Sequence, residues 1–244
     1  MGRETELRRL FESVALQEYP SVRVILVDMS GSRAVAALVA EFGSLEILHR
    51  TSSPVGVSRA RNQGVGDVEA DVVSLTDDDC WYPERLLQSV GRRFSSDPGL
   101  AGLSVRQLDE SLRPSNGRWA RRPGIITKSN VWGRAVSSGM FFRSEAITAA
   151  GAFDETLGPG SGCWEAGEET DLLIRVVETG RRVHYEPSLH VHHPDPLGVG
   201  TDRSAAYSLE RWGAYARATG HLMRKHRFPP HAVAYRCCRP LVGS

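Results

Sequence analysis

The chain of 244 residues is poor in lysine: of thirty Lys and Arg, only Lys128 and Lys225 are lysine. This imbalance reads as coding bias and carries no functional weight. Net charge is also small, at +1, so no global field points to nucleic acid. No apolar stretch approaches the ~18–20 residues of a spanning helix, and no signal peptide opens the chain. Cysteine is scarce: Cys80, Cys163, Cys237 and Cys238 form neither a CxxC pair nor zinc-finger spacing. The expectation is a cytoplasmic protein in a reducing compartment. Internal repeats and low-complexity segments are absent.

What is present is ordinary for a globular protein, with 41% hydrophobic and 24% charged residues. Residues 4–17 place Leu7, Leu10, Phe11 and Val14 at helical spacing. The segment 22–28, VRVILVD, reads as a buried strand, followed by a helix over 34–42 and a short strand over 45–48. A turn and helix come next in GVSRARNQGVGDVEA, then the strand DVVSL, a helix opened by Pro83, and a strand over 100–105. Strands alternating with helices predict a mostly parallel, doubly wound α/β sheet. The back half should hold a helix at EETDLLIRVVETG and a strand pair around RRVHYEPSLHVHH. One domain is expected over 1–200, with a nucleotide-binding half at 1–110 and an acceptor-side half at 111–200, followed by a helical tail over 201–244. A helix at residues 4–17 normally follows a strand in such a sheet. Either the native start lies upstream of Met1, or the sheet is built unusually.

Three clusters carry the chemistry. Asp77, Asp78 and Asp79 stand side by side just after an apolar strand, where ligands of open α/β sheets bind. Hard divalent cations take carboxylate oxygens and substrate phosphates, and an acidic loop capping the next helix is the plainer alternative. Glu168, Glu169 and Asp171 lie at a helix N-terminus, where the macrodipole alone would favour them; a general base for an incoming hydroxyl is the functional reading. In HYEPSLHVHHP, His190 and His192 share one face of an extended segment, while His184 and His193 point differently. A neutral imidazole among them could ligate a metal; packed or surface histidines are the alternative.

Taken in order, these segments resemble the family 2 glycosyltransferases, which have the GT-A fold. LRRLFESVALQEYPSVRVILVDMSGS is similar to the family's first helix, its Q-x-Y-P turn and the strand ending in D-D-G-S. GVSRARNQGV is similar to G-x-x-x-A-R-N-x-G, and LTDDDCWYPERLL to the acidic metal-binding motif. SSGMFFRSEAITAAGAFDETLG resembles the stretch leading to G-G-F-D-E. GEETDLLIRVVETGRRVHYEP and VHHP resemble the G-E-D-x-D-L block and the histidine after it. The resemblance spans roughly residues 4–194, and ordered matches are more specific than any one motif.

The resemblance implies transfer of a sugar from a nucleotide diphosphate to an acceptor hydroxyl with inversion. It implies a divalent cofactor, Mn²⁺ or Mg²⁺, on Asp78 with Asp79 and His193. Asp28, Arg61, Asn62, Asp77 and Asp78 would hold the donor, a UDP-sugar first and a GDP- or dTDP-sugar next. Glu169 takes the position of the base, with Glu168 and Asp171 beside it, and Trp164 could stack on an acceptor ring. Three departures stand out: Met29 replaces the second Asp of D-D-G-S, Glu169 replaces the Asp of the E-D pair, and the opening strand with its P-x-Y-N contact is missing. A phosphohydrolase or nucleotidyltransferase could also use the aspartates, but neither accounts for GEETD and VHHP. A non-catalytic or degenerate sugar-nucleotide-binding protein is the alternative. From Arg203 onward there are eight Lys or Arg and a single acid, Glu210, with interleaved aromatics. Residues 203–239 could therefore contact an anionic membrane surface.

Overall fold

The computed structural model describes residues 3–115, 119–194 and 209–238. Helix α1 (Glu4–Ala15) buries Leu7, Leu10, Phe11 and Val14 along one stripe. Its C-terminal end is fastened to the segment after the three aspartates. Ser13 Oγ accepts from the Tyr82 amide at 3.0 Å, and Gln17 spans the Pro83 carbonyl at 3.0 Å and the Leu87 amide at 3.1 Å. The first helix therefore fixes the acidic turn rather than merely preceding it.

Strand β1 (Arg23–Asp28) pairs in parallel with β2 (Glu46–Thr51), with α2 (Arg33–Glu41) between them in sequence. Helix α3 (Val57–Gly66) packs on β1; Gly64 leaves room for Ile25 and Val27, which a Cβ would meet at 3.7 and 3.5 Å. The remaining strands form a second sheet in the order β3-β6-β4-β7-β5: β3 (Val72–Ser74), β6 (Met140–Arg143), β4 (Leu100–Leu108), β7 (Arg182–His192) and β5 (Gly124–Ile125). Only β4–β7 is parallel in this second sheet, so the α/β architecture is mixed rather than mostly parallel. Among the described residues β1 and β3 are each paired on one side only. The apolar residues of β1 are correspondingly half-buried, although helices cover them.

Two details differ from the sequence reading. The helix after the aspartates, α4 (Leu86–Ser96), starts three residues beyond Pro83. The Pro83 carbonyl is taken by Gln17, and Arg85 adopts a left-handed φ of 59° that no continuing helix permits. The strand pair expected around RRVHYEPSLHVHH is one strand, β7. It follows β4 in parallel from Leu100 to Leu108 and bulges between Glu186 and His190, where Pro187 cannot donate to a ladder.

One core cluster joins α1, α2, α4 and one sheet face through Phe11, Leu38, Phe94, Leu103 and Phe141. The other lies beneath α5 (Ser144–Ala150) and α6 (Glu168–Glu178), with Phe142, Ile147, Leu172, Leu173 and Tyr185 fully or nearly fully buried. Helix α7 (Leu209–Lys225) buries Ala218, Leu222 and Met223, and α8 (Pro230–Cys238) follows it. Of the basic tail, 201–208 and 239–244 lie outside the described residues. No helix among the described residues is long and apolar enough to cross a membrane.

Candidate active site

The acidic turn is held from both sides. Before it, the Leu75 amide donates to the Met140 carbonyl at 3.2 Å; after it, Trp81 and His192 exchange backbone hydrogen bonds of 3.1 and 2.9 Å. That bridge brings the residue after His192 alongside the aspartates: His193 Nε2 lies 3.5 Å from Asp79 Oδ1. Trp81 itself stacks on the His192 ring, and the Arg9 guanidinium lies over the Trp81 ring, 3.4 Å from its centre.

Two arginines serve the three aspartates. Arg3, at the start of α1, lies 3.1 Å from Asp78 and also bonds Asp79. Asp77 accepts from Arg61 at 2.7 Å and from Ser137 Oγ at 2.9 Å. Burial and the two neighbouring carboxylates push the Asp78 carboxyl up, with Arg3 pulling against them. A carboxylate whose charge is that poorly compensated has room for a further cation. Asp79, Cys80 and His193 offer carboxylate, thiol and imidazole atoms all within 4.8 Å of one another. Asp78 is not a member of that tight group but shares Arg3 with it. Carboxylate oxygens suit Mn²⁺ or Mg²⁺ and imidazole suits transition metals, so the residues present are compatible with a divalent ion. The Cys80 thiol, fully buried, is pushed up by desolvation and by Asp77 and Asp79.

The second acidic cluster arrives from α6. Gly167 at its N-cap has φ 91°, a conformation suited to glycine, and a Cβ there would meet Leu222 Cδ1 at 2.7 Å. Helix α3 is stitched to the preceding loop: the Val57 amide donates to the Pro159 carbonyl at 3.0 Å and Ser58 Oγ to the Leu157 carbonyl at 2.6 Å. Gly56 touches Gly160 so closely that a Cβ would sit 2.7 Å from its carbonyl oxygen. These contacts deliver Arg61 to Glu168 at 2.8 Å while its other nitrogen holds Asp77. One guanidinium thus joins the two acidic clusters, in a bidentate bridge that lysine could not reproduce. Glu169, half-buried beside it, is pushed up to about 8 by desolvation and by the Glu168 carboxylate, against the pull of Arg61.

Other expected residues are placed as follows. Asp28, at the end of β1, accepts from the Ser30 amide at 2.8 Å and the Ser30 hydroxyl at 2.6 Å, with His49 at 3.3 Å. Burial opposes its charge, but these partners win and its carboxyl is lowered. Asn62 spends its amide on the chain at 153–155: Nδ2 donates to the Phe153 carbonyl at 3.0 Å, and Oδ1 accepts from the Phe153 amide at 2.7 Å. Trp164 stacks on His221 of α7 at 4.4 Å between ring centres. Asp171 is fully buried and turned to the end of α7, where Lys225, His226 just beyond it and the α6 residue Arg175 surround it. Burial would raise its carboxyl, yet those partners hold it well below the usual carboxylate range. Sequence reasoning gave no role to Arg3, Ser137 or Cys80, and took the basic tail that holds Lys225 and His226 only as a surface for an anionic membrane. An arginine or serine gives no signal until its partner is known, and only the position of Cys80, directly after the triplet, could have drawn attention.

A mixed sheet with an acidic turn at a strand end, faced by a helix tipped with carboxylates, is a GT-A architecture. Solved GT-A glycosyltransferases share it: S. aureus TarS superposes with a TM-score of 0.69 over 95% of this chain and 48% of its own, at 12% identity. A mannosyltransferase, PcManGT from Pyrobaculum calidifontis, solved with GDP-Man and Mn²⁺, gives 0.66 over 95% of this chain and 66% of its own, at 15% identity. The model for Glycosyl transferase family 2 matches residues 2–144, and the chain belongs to that family. Among curated relatives, the pre-mycofactocin glycosyltransferase of Mycobacterium tuberculosis is 30% identical over 200 residues, 77% of this chain and 39% of its own length. The succinoglycan biosynthesis protein ExoO of Rhizobium meliloti is 30% identical over 204 residues, 76% of this chain and 56% of its own. The chain therefore spans about two fifths to just over half of these relatives.

Proposed function

We propose that this protein is an inverting, metal-dependent glycosyltransferase that moves a sugar from a nucleotide diphosphate to an acceptor hydroxyl. The observation that carries the reading is the Arg61 bridge, which sets Glu168 and its neighbour Glu169 next to the aspartate turn. Donor-side and base-side carboxylates then share one site, as a single displacement requires.

A divalent ion held by Asp78, Asp79 and His193 would supply Lewis-acid stabilisation of the departing diphosphate. The remaining work falls to the chain. Asp28, with its orientation fixed by Ser30 and His49, faces the nucleoside. Arg61 holds Asp77 in place and keeps the two carboxylate clusters from repelling each other apart. Glu169 takes the acceptor proton as the hydroxyl attacks the face of the anomeric carbon opposite the leaving group. Its raised carboxyl suits that role, since a base works best with a pKa near the operating pH. Glu168, ion-paired to Arg61, is spent on the bridge, and Asp171 on α7.

The donor class is a nucleotide-sugar. A structural neighbour has been solved with UDP-GlcNAc and another with GDP-Man, and UDP remains the first choice, with GDP and dTDP to be compared. Thermal unfolding with each nucleotide, with and without Mn²⁺, tests the reading. A ligand at about 100 times its Kd stabilises by ~2.7 kcal/mol, a rise of roughly 5–10 °C for a domain of this size. A rise that requires Mn²⁺, together with slow nucleotide release from the matching donor, supports the enzyme. A rise without any turnover supports a non-catalytic sugar-nucleotide binder instead.

A further inference from the structure

The buried ionic cluster between α6 and α7 lies outside the donor site, and the mechanism above leaves it unused. Asp171 stands two residues after Glu169, in the first turn of α6. Its side chain has no exposure, an expensive place for a carboxylate unless it is fully partnered. It is: Oδ1 receives His226 Nε2 at 2.8 Å and Lys225 Nζ at 2.6 Å, and Oδ2 receives Arg175 Nε at 2.8 Å. The same groups reach outward. Lys225 also pairs with Asp154 at 2.7 Å, and Arg175 donates to the carbonyls of Gly151 and Ala152 at 3.1 and 2.9 Å. Lys128 bonds the His226 carbonyl, and His226 Nδ1 lies 3.4 Å from Glu178 Oε2. One turn earlier on α7, Leu222 fills the space over Gly167, and His221 stacks on Trp164. His221, Leu222 and Lys225 of α7, with His226 just beyond its end, thus bear on the loop and first turn that carry Glu169.

We propose that α7 is the element that positions the base, with Lys225 and His226 as positioning residues acting through Asp171. The inference rests on the glycosyl-transfer reading for its catalytic consequence, though the clamp itself does not. The first turn of a helix has backbone N–H groups without intrahelical partners, and here it follows a loop rich in glycine. Without the clamp, the first turn of α6 gains freedom to shift, and a displacement of about 1 Å is enough to cost on the order of 100-fold in rate. The donor site, built on α1, β1 and the turn after β3, is not touched by these residues.

The test uses the full chain with His226→Leu, Lys225→Met and His226→Gln. Hydrogen exchange without ligand should show faster uptake confined to residues 158–171 in the first two variants. Glutamine, able to donate to Asp171 Oδ1, should restore protection. With UDP-GlcNAc or GDP-mannose and Mn²⁺, whichever donor the wild type hydrolyses, kcat should fall roughly 10- to 100-fold with donor KM unchanged, and His226→Gln should recover most of it. A purely structural role would lower the melting temperature with kcat intact below it. Should His226→Leu fail to fold, Lys225→Met carries the same comparison, its side chain being 28% exposed. If the wild type turns over and the variants keep both protection and kcat, the inference is overturned and the proposed function stands. If exchange opens as expected but the wild type turns over neither donor and binds no nucleotide, it is the proposed function that falls.

Discussion

Replacing Arg61 with methionine is the sharpest probe of the site, because methionine keeps the stem and removes only the guanidinium. Arg61 is 13% exposed and bridges Asp77 to Glu168, itself 7% exposed. Deleting one partner of a buried ion pair costs about 3–5 kcal/mol, since the other charge is left without compensation. For a chain of this length each kcal/mol moves the midpoint by ~2–4 °C, so Arg61→Met should melt roughly 6–20 °C below the wild type. The cost comes from carboxylate charge, so it should depend on pH. An uncompensated buried carboxyl has a raised pKa in the folded state, and the deficit grows as pH rises through it. Urea titrations of both proteins at pH 5 and pH 8 measure this directly. The variant should lie closest to the wild type at pH 5 and furthest at pH 8. Arg61→Lys should lose an intermediate amount, because an ammonium cannot fork to both oxygens. A deficit below about 1 kcal/mol, or one equal at the two pH values, would refute the claim that this bridge holds the two acidic clusters together.

Glu169→Gln should abolish transfer while leaving the Mn²⁺-dependent nucleotide shift intact; near-full turnover would remove Glu169 as the base. With the Glu169 carboxyl raised to about 8, the competent anion forms only as pH rises, so kcat should climb between pH 6 and 9 and a flat profile would contradict the assignment. A carboxyl raised on folding favours the folded state at low pH and loses that contribution as pH passes through its folded pKa, so Glu169→Gln should gain stability relative to the wild type toward pH 9. Asp78→Asn should lose the Mn²⁺-dependent part of the nucleotide shift, which differential scanning fluorimetry with UDP and GDP reads out. On the tail, Trp212 and Tyr235 are 55% and 70% exposed and adjoin Arg211 and Arg236 in sequence; co-sedimentation with anionic vesicles at low salt tests membrane contact, and recovery of all protein in the supernatant eliminates it.

The elements that carry the candidate site were legible in the sequence. The apolar spacing of Leu7, Leu10, Phe11 and Val14 requires a helix that buries one face, and the aspartates had to fall at the end of the strand before them. The glutamates of GEETD belong at a helix N-terminus on electrostatic grounds alone, and α6 begins there. The bulge that makes one strand of β7 was less legible, because register depends on the partner β4 and not on β7 itself. The start of α4 was missed for a similar reason: Gln17, far away in the chain, takes the Pro83 carbonyl.

Local periodicity and charge, then, determined which residues would form elements and at which ends the carboxylates would gather. Only the tertiary structure decided which carboxylate meets which cation. Arg61 reaches Glu168 across 107 positions and Asp77 across 16, and His226 reaches Asp171 across 55. Three similar acids, Glu168, Glu169 and Asp171, consequently take three different parts: one is tied to Arg61, one is left with a raised carboxyl, and one is locked to α7. Sequence spacing puts all three on the same helix turn. Their separate environments come from desolvation and opposite charge, both set by chain segments that pack there from elsewhere.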